Sequence, residues 1–217
     1  MGTAPQRAFG VAVPVRAFRL GNTRLASGLD DTTRTALARR LAERVVTATG
    51  DAPVVVVTSA PEVVEWAGDL GIGVVPDPGS LDAAARVGVA ELTRLGCRRV
   101  VVAHADLAFV TDFTPVTRDA GVPTAVLVPC HHDDGTPVLS LPAGVDFAFA
   151  YGPGSFRRHV QVARAAGLAV RVVRDPALAF DVDTVDDVSV LAHHDPTLLG
   201  ARIPSSTPPA PPEVTPR

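Results

Sequence analysis

The sequence contains no lysine; all 20 of its Lys+Arg residues are arginine. A lysine ammonium gripping phosphate is therefore excluded, and any polyphosphate must be held by arginine, backbone N–H groups or a metal ion. Cysteine is nearly absent. Cys97 and Cys130 are too few for a disulfide scaffold and fit a reducing compartment, the cytoplasm. No apolar run approaches the roughly 18–20 residues that a membrane span needs, which excludes an integral membrane protein. There is no basic block and the net charge is −3, which excludes a nucleic-acid-binding surface. The opening MGTAPQRAFG lacks the apolar stretch of a secretory signal. Internal repeats are also missing.

What remains is ordinary globular material: 217 residues, 47% hydrophobic and 20% charged, enough to bury one full core. Continuous β-branched runs at Phe9–Val15, Val54–Val57, Ile72–Val75, Val100–Ala103 and Ala125–Val128 read as strands covered on both faces. Between them run helical patterns. Leu37, Leu41, Val45 and Ala48 share a face of a helix starting near Thr32, and Leu81, Ala85, Gly88, Leu92 and Leu95 share a face of a helix that Ser80 can cap. Phe156, Val160 and Ala163 mark a third helix that stops at Gly167. A last helix over Thr184–Ala192 opens with a capping box in which Asp187 replaces the usual Glu. This alternation predicts a three-layer α/β/α sandwich with a mostly parallel sheet. One domain is expected over residues 1–200, followed by a disordered Pro-rich tail over 201–217.

Four segments carry residues suited to chemistry. Arg16, Arg19 and Arg24 follow the first strand, where ligands sit in open α/β sheets; they form either an anion site or a solvated basic loop. Asp106 ends a buried strand and is either a ligand for a hard cation such as Mg²⁺ or a turn cap. Asp181 and Asp183 alternate on an extended segment and can face one site, although Asp183 could equally cap the final helix. Asp134-Gly135-Thr136-Pro137 and Tyr151-Gly152-Pro153-Gly154-Ser155 form the fourth pair of stretches. The second of them leads into a helix N-terminus where Ser155 can meet an anion or cap its own helix. Cys130-His131-His132-Asp133 has the ligand types of a zinc site but no second pair in the sequence to complete it. His104 and His159 read as hydrogen-bonded structural groups.

Taken in order, VPVRAFRLGNTRLA, DPGSLDAAARVG, HADLAFV, DDGTPVLSL, YGPGSFRRHVQVARAAGL and DVDTVDDV resemble the CofC-like guanylyltransferases of coenzyme F420 biosynthesis. The resemblance spans about residues 9–192, and the YGPGS–H and DVDT–DD blocks are its specific parts. It implies a glycosyltransferase-A-like nucleotidyltransferase fold and transfer of GMP from GTP to 2-phospho-L-lactate or phosphoenolpyruvate, with Mg²⁺ as cofactor. It further implies that Asp106 and Asp183, with Asp181, hold the metal, and that Asp106 and Asp183 are the catalytic pair. Thr136, Gly152 and Ser155 would bind the acceptor, and Arg16, Arg24 and the position of Asp82 would face the nucleotide. Four positions depart from the family pattern: Asn22 for Lys, Asp82 for Asn, Ala108 for Pro and Pro137 for Asn. The first two bear on the nucleotide, so a diverged nucleotidyltransferase with another nucleotide or acceptor, or a weak nucleotide-binding paralogue, stands as the alternative. A homo-oligomer is left open.

Overall fold

The apolar runs assemble into a single sheet with order β3-β2-β1-β4-β6-β5-β7. The structure, a computed structural model, describes residues 7–21, 23–118, 120–132 and 134–200; Asn22 and the expected tail lie outside them. In chain order the strands are β1 (Arg7–Pro14), β2 (Val54–Val57), β3 (Gly73–Val75), β4 (Cys97–Ala103), β5 (Thr124–Val128), β6 (Val138–Pro142) and β7 (Ala169–Val172). The helices are α1 (Asp31–Thr47), α2 (Pro61–Asp69), α3 (Leu81–Arg94), α4 (Thr114–Thr117), α5 (Ser155–Ala165), α6 (Pro176–Ala179) and α7 (Val185–His194).

Four strand pairings are parallel and two are antiparallel, both involving β6. The sheet is therefore mixed but mostly parallel. Its pleat sends Val11 and Val13 of β1 into one core with Ala42 and Val45 of α1 and Val63 and Trp66 of α2. Ala12 goes to the other face, into a second core with Ala84, Ala85 and Leu92 of α3 and Ala163 of α5. Two buried faces explain why the strands read as unbroken apolar runs. On that second face α3 lies very close to β1. A Cβ on Gly88 would sit 2.7 Å from the Ala12 Cβ, and one on Gly10 would sit 2.7 Å from Leu92. A third, smaller cluster joins Leu37 and Leu41 of α1 to Val182, Val188 and Leu191 around α7.

The expected strands and helices are present with small shifts. α1 starts at Asp31 rather than Thr32, because Asp30 is the N-cap and accepts from the Thr33 N–H. Ile72 precedes β3, and β4 extends back to Cys97. At α7 the capping box is complete, with Thr184 and Asp187 exchanging side-chain and backbone bonds. The structure adds α2, α4, α6, β6 and β7 to the expected elements.

Candidate active site

The site lies at one edge of the sheet. The carboxyl ends of β1, β4, β5 and β7 and the amino end of the reversed β6 all point there, which follows from the pairing directions. Thr136 enters the edge from the start of β6, beside His104, whose amide donates to the Pro137 carbonyl at 2.9 Å.

Asp106 and the Asp181–Asp183 segment, 77 positions apart at their far ends, are drawn together by an isolated antiparallel bridge between Leu107 and Asp181. The amide of Val182 donates to the Asp106 carbonyl and that of Ala108 to the Phe180 carbonyl, both at 3.1 Å. The two chain segments are thus zipped by backbone bonds, independently of their side chains. Asp106 is half-buried, and its Oδ1 is enclosed without a hydrogen bond from any described residue. Burial first, and then the neighbouring Asp183 charge, push its pKa up to about 7. Asp181 is raised to about 6, by burial first and then by Asp106, while the His104 charge opposes the shift. Asp183 is more open, and its Oδ2 accepts from Arg24 Nη1 at 2.9 Å.

Carboxylates whose pKa values are raised by burial and by one another are arranged for a cation or a shared proton. An all-oxygen set with an unpaired buried oxygen fits a hard divalent ion such as Mg²⁺. His104 Nε2 and the Tyr151 hydroxyl are also buried without a partner among the described residues, and their rings lie 5.5 Å apart.

A second corner faces this one. Ala150 N–H donates to His159 Nε2 at 2.9 Å, so the proton of this imidazole sits on Nδ1, which donates to Thr136 Oγ1 at 3.0 Å. Burial holds the His159 pKa down to about 4, so the ring is neutral and keeps this tautomer. Thr136 then has one proton left, and it can go to Ser155 Oγ at 3.3 Å or to a ligand oxygen. All three side chains are buried. The adjoining loop is clamped. Arg158 donates from Nε and Nη2 to the Ala150 carbonyl at 3.1 and 2.9 Å, from Nη2 to that of Tyr151 at 2.9 Å, and from Nη1 to that of Pro153. Gly152 takes φ +99°, a left-handed turn that only glycine adopts cheaply.

The other predicted residues divide. Arg24 reaches the carboxylates, whereas Arg16 is exposed in the loop after β1, with no ion pair to a described residue. Asp82 accepts the Tyr151 N–H on Oδ1 at 2.7 Å, so it holds the loop that leads into α5. Cys130 turns from the imidazoles next to it, its sulfur accepting the Gly135 N–H at 3.1 Å. The clamp formed by Arg158 was missed in the sequence, where an arginine on a helix looks like a solvated one. His159 was seen but read as structural only.

The comparisons with known proteins bear on this edge as a whole. Residues 9–198 match the family described as guanylyl transferase, CofC like. The chain belongs to the CofC-like guanylyltransferases. It is 35% identical over 191 residues to the phosphoenolpyruvate guanylyltransferase of Sphaerobacter thermophilus, covering 85% of this chain and 92% of that one. It is 34% identical to the enzyme of the same name from Rubrobacter xylanophilus, over 82% of this chain and 91% of that one. A shorter match, 32% identical over 54% of this chain and 55% of that one, is to the 3-phospho-D-glycerate guanylyltransferase of Phenylobacterium zucineum. Among solved structures, a Desulfovibrio desulfuricans protein assigned to the nucleotide-diphospho-sugar transferases superposes with TM-score 0.70 at 17% identity, covering 86% of this chain and 87% of that one. A nucleotidyl transferase from Methanothermobacter gives TM-score 0.58 at 16% identity, over 86% and 96%. The CofC-like chain thus has the nucleotidyltransferase fold that its sequence blocks implied.

Proposed function

We propose that this CofC-like chain transfers GMP from GTP to phosphoenolpyruvate or 2-phospho-L-lactate in coenzyme F420 biosynthesis, in the cytoplasm, with Mg²⁺ held by Asp106, Asp181 and Asp183. The observation that carries this reading is the Leu107–Asp181 bridge, which joins the carboxylates at the edge that also holds the Thr136–Ser155 hydroxyls.

An oxygen of the acceptor phosphate attacks the α-phosphorus of GTP, the bond to the β-phosphate oxygen breaks, and pyrophosphate leaves. The acceptor is already an anion, so no general base is needed, and catalysis reduces to alignment and charge neutralisation. A bound Mg²⁺ supplies positive charge to the phosphate oxygens of the nucleotide. Arg24, mostly exposed and paired with Asp183, can exchange that carboxylate for the triphosphate, and Arg16, exposed after β1, is a second cation in the same β1–α1 connection. On the acceptor side, His159 fixes the direction of the Thr136 hydroxyl, and Thr136 and Ser155 donate to the phosphate or carboxylate of the acceptor. Asp82 and Arg158 hold the Tyr151–Gly154 loop in place around it.

The names of the relatives that match most of the chain favour phosphoenolpyruvate over 2-phospho-L-lactate. The shorter relative supports 3-phospho-D-glycerate as a second candidate, again one phosphate and one carboxylate on three carbons. Purified protein with GTP, Mg²⁺ and each acceptor in turn, followed by mass spectrometry, tests the proposal. The expected product is a guanylyl adduct of one acid. Its absence with all three, while GTP still binds, would leave the paralogue reading in its place.

A further inference from the structure

Outside the carboxylates assigned to Mg²⁺, the fold brings His131, His132 and Asp187 together. One ligand atom from each lies within 4.8 Å of the others. The two histidines follow β5, and Asp187 sits in the first turn of α7, 56 positions after His131. We propose that these three residues bind a divalent transition metal, Zn²⁺ or an ion of similar softness, at a site that adjoins the Mg²⁺ carboxylates but uses none of them as a ligand.

Each ligand is prepared for this. Asp187 divides its two oxygens: Oδ2 accepts from the Asp183 N–H, the Thr184 N–H and the Thr184 hydroxyl in the capping box, while Oδ1 is directed at His131 Nε2, 2.9 Å away. His131 is fixed on three sides. Its amide donates to the Ala179 carbonyl at 2.9 Å, and its ring stacks on Phe180 with centroids 4.6 Å apart. Its Nδ1 lies 3.3 Å from Asp181 Oδ1 and 3.4 Å from the Ala179 carbonyl. An imidazole that donates Nδ1–H to a carboxylate or carbonyl presents its Nε2 lone pair on the other side, as metal-ligating histidines do. His132 packs against it at a tilt of 41°, with ring centroids 3.9 Å apart, and is exposed, which leaves room for water to complete the shell.

Two imidazoles and one carboxylate are a borderline-soft set, suited to Zn²⁺, Co²⁺ or Ni²⁺ and poorly suited to Mg²⁺, which prefers oxygen. Ligation would tie the loop after β5 to α7, the helix that Asp183 leads into.

The test uses the full chain, purified without a polyhistidine tag and stripped with chelator, titrated with Zn²⁺ in excess Mg²⁺ against a chromophoric competitor. Thermal melting is followed in parallel. The wild type should bind one Zn²⁺ at micromolar concentration or tighter, with a rise in Tm. His132→Ala removes an exposed ligand without touching the core, and Asp187→Asn keeps an oxygen for the capping box but loses the charged ligand. Each should weaken Zn²⁺ by at least about tenfold and abolish the rise in Tm, and Asp106→Asn should do neither. Absence of micromolar binding would overturn the site. So would binding that survives His132→Ala, the result expected if the neighbouring pair His193–His194 on α7 takes the ion instead.

Discussion

The two corners of the active edge are built on opposite principles. In the acceptor corner each buried polar side chain has a protein partner: His159 bonds on both nitrogens, Thr136 reaches Ser155, and Arg158 and Asp82 hold the loop. In the carboxylate corner, Asp106 Oδ1 is buried with none among the described residues and two carboxyls have raised pKa values; His104 Nε2 and the Tyr151 hydroxyl, likewise without a partner among them, lie between the two corners. The first corner is shaped before a ligand arrives; the second holds repulsion that a cation would relieve. On the proposed function, recognition of the acceptor and neutralisation of charge fall to different neighbourhoods, and substitutions in each should fail differently.

The sharpest break is Asp106→Asn or Asp183→Asn. Both should fold and both should lose guanylyl transfer by on the order of 10³-fold, the scale of a missing metal contribution to the transition state. A variant of either kind that keeps most of its turnover would remove the carboxylate corner from the chemistry.

The next effect is on stability. Asp106, raised to about 7 from 3.8, and Asp181, raised to about 6, keep their protons longer in the folded than in the unfolded chain. The native state therefore binds more protons across that window, and metal-free stability falls as pH rises through it. Asp187 and Asp195 are shifted the other way and act at lower pH, while His159, held down to about 4, and His104, also lowered by burial, oppose the carboxyls below about pH 6.5. Urea unfolding of chelated protein should lose about 1 kcal/mol between about pH 6.5 and pH 8, and Asp106→Asn should flatten most of that slope. An unchanged slope in the variant would mean that Asp106 carries little of the repulsion.

In the acceptor corner the expected signature is binding. Thr136→Val should raise KM for the acceptor by about 10–100-fold with a smaller change in kcat, and leaving Ser155 and His159 without their partner should cost about 1–3 kcal/mol of stability. Thr136→Ser should restore most of the affinity. A fall in kcat alone would place Thr136 with the metal corner instead. Smaller still is Arg24→Ala: its ion pair is exposed, so Tm should not move, while KM for GTP rises several-fold. Asp82→Asn should do least. Its amide oxygen can still accept the Tyr151 N–H, so both Tm and acceptor KM should stay near wild type.

How legible this was depended on distance along the chain. Val54–Val57 and Val100–Ala103 could be read because a strand buried on both faces has to be apolar throughout. β6 was missed because VLSLP follows a loop and enters reversed, with no local mark of its direction. Asp106, Asp183, Thr136 and Ser155 were picked out by local blocks and their resemblance, but the Leu107–Asp181 bridge that brings two of these segments together has no local signal. The same holds for His131 and Asp187. The sequence shows a histidine pair lacking further ligands and a helix cap, and only the fold makes them neighbours. Asp82 reads in the sequence as an electrostatic change beside the nucleotide, and its bond to the Tyr151 N–H, 69 positions away, has no local signal either.

The missing side chain at Gly88 has a reach beyond its own contact. α3 rests on β1 at that residue, with no space for even a methyl group, and the first turn of the same helix carries Asp82. Whatever raises the helix at Gly88 must also raise the carboxylate that grips Tyr151. A core position on the face of the sheet therefore works as a levelling screw for the acceptor loop, and adding one carbon there should detune substrate fit without touching a single residue of the site.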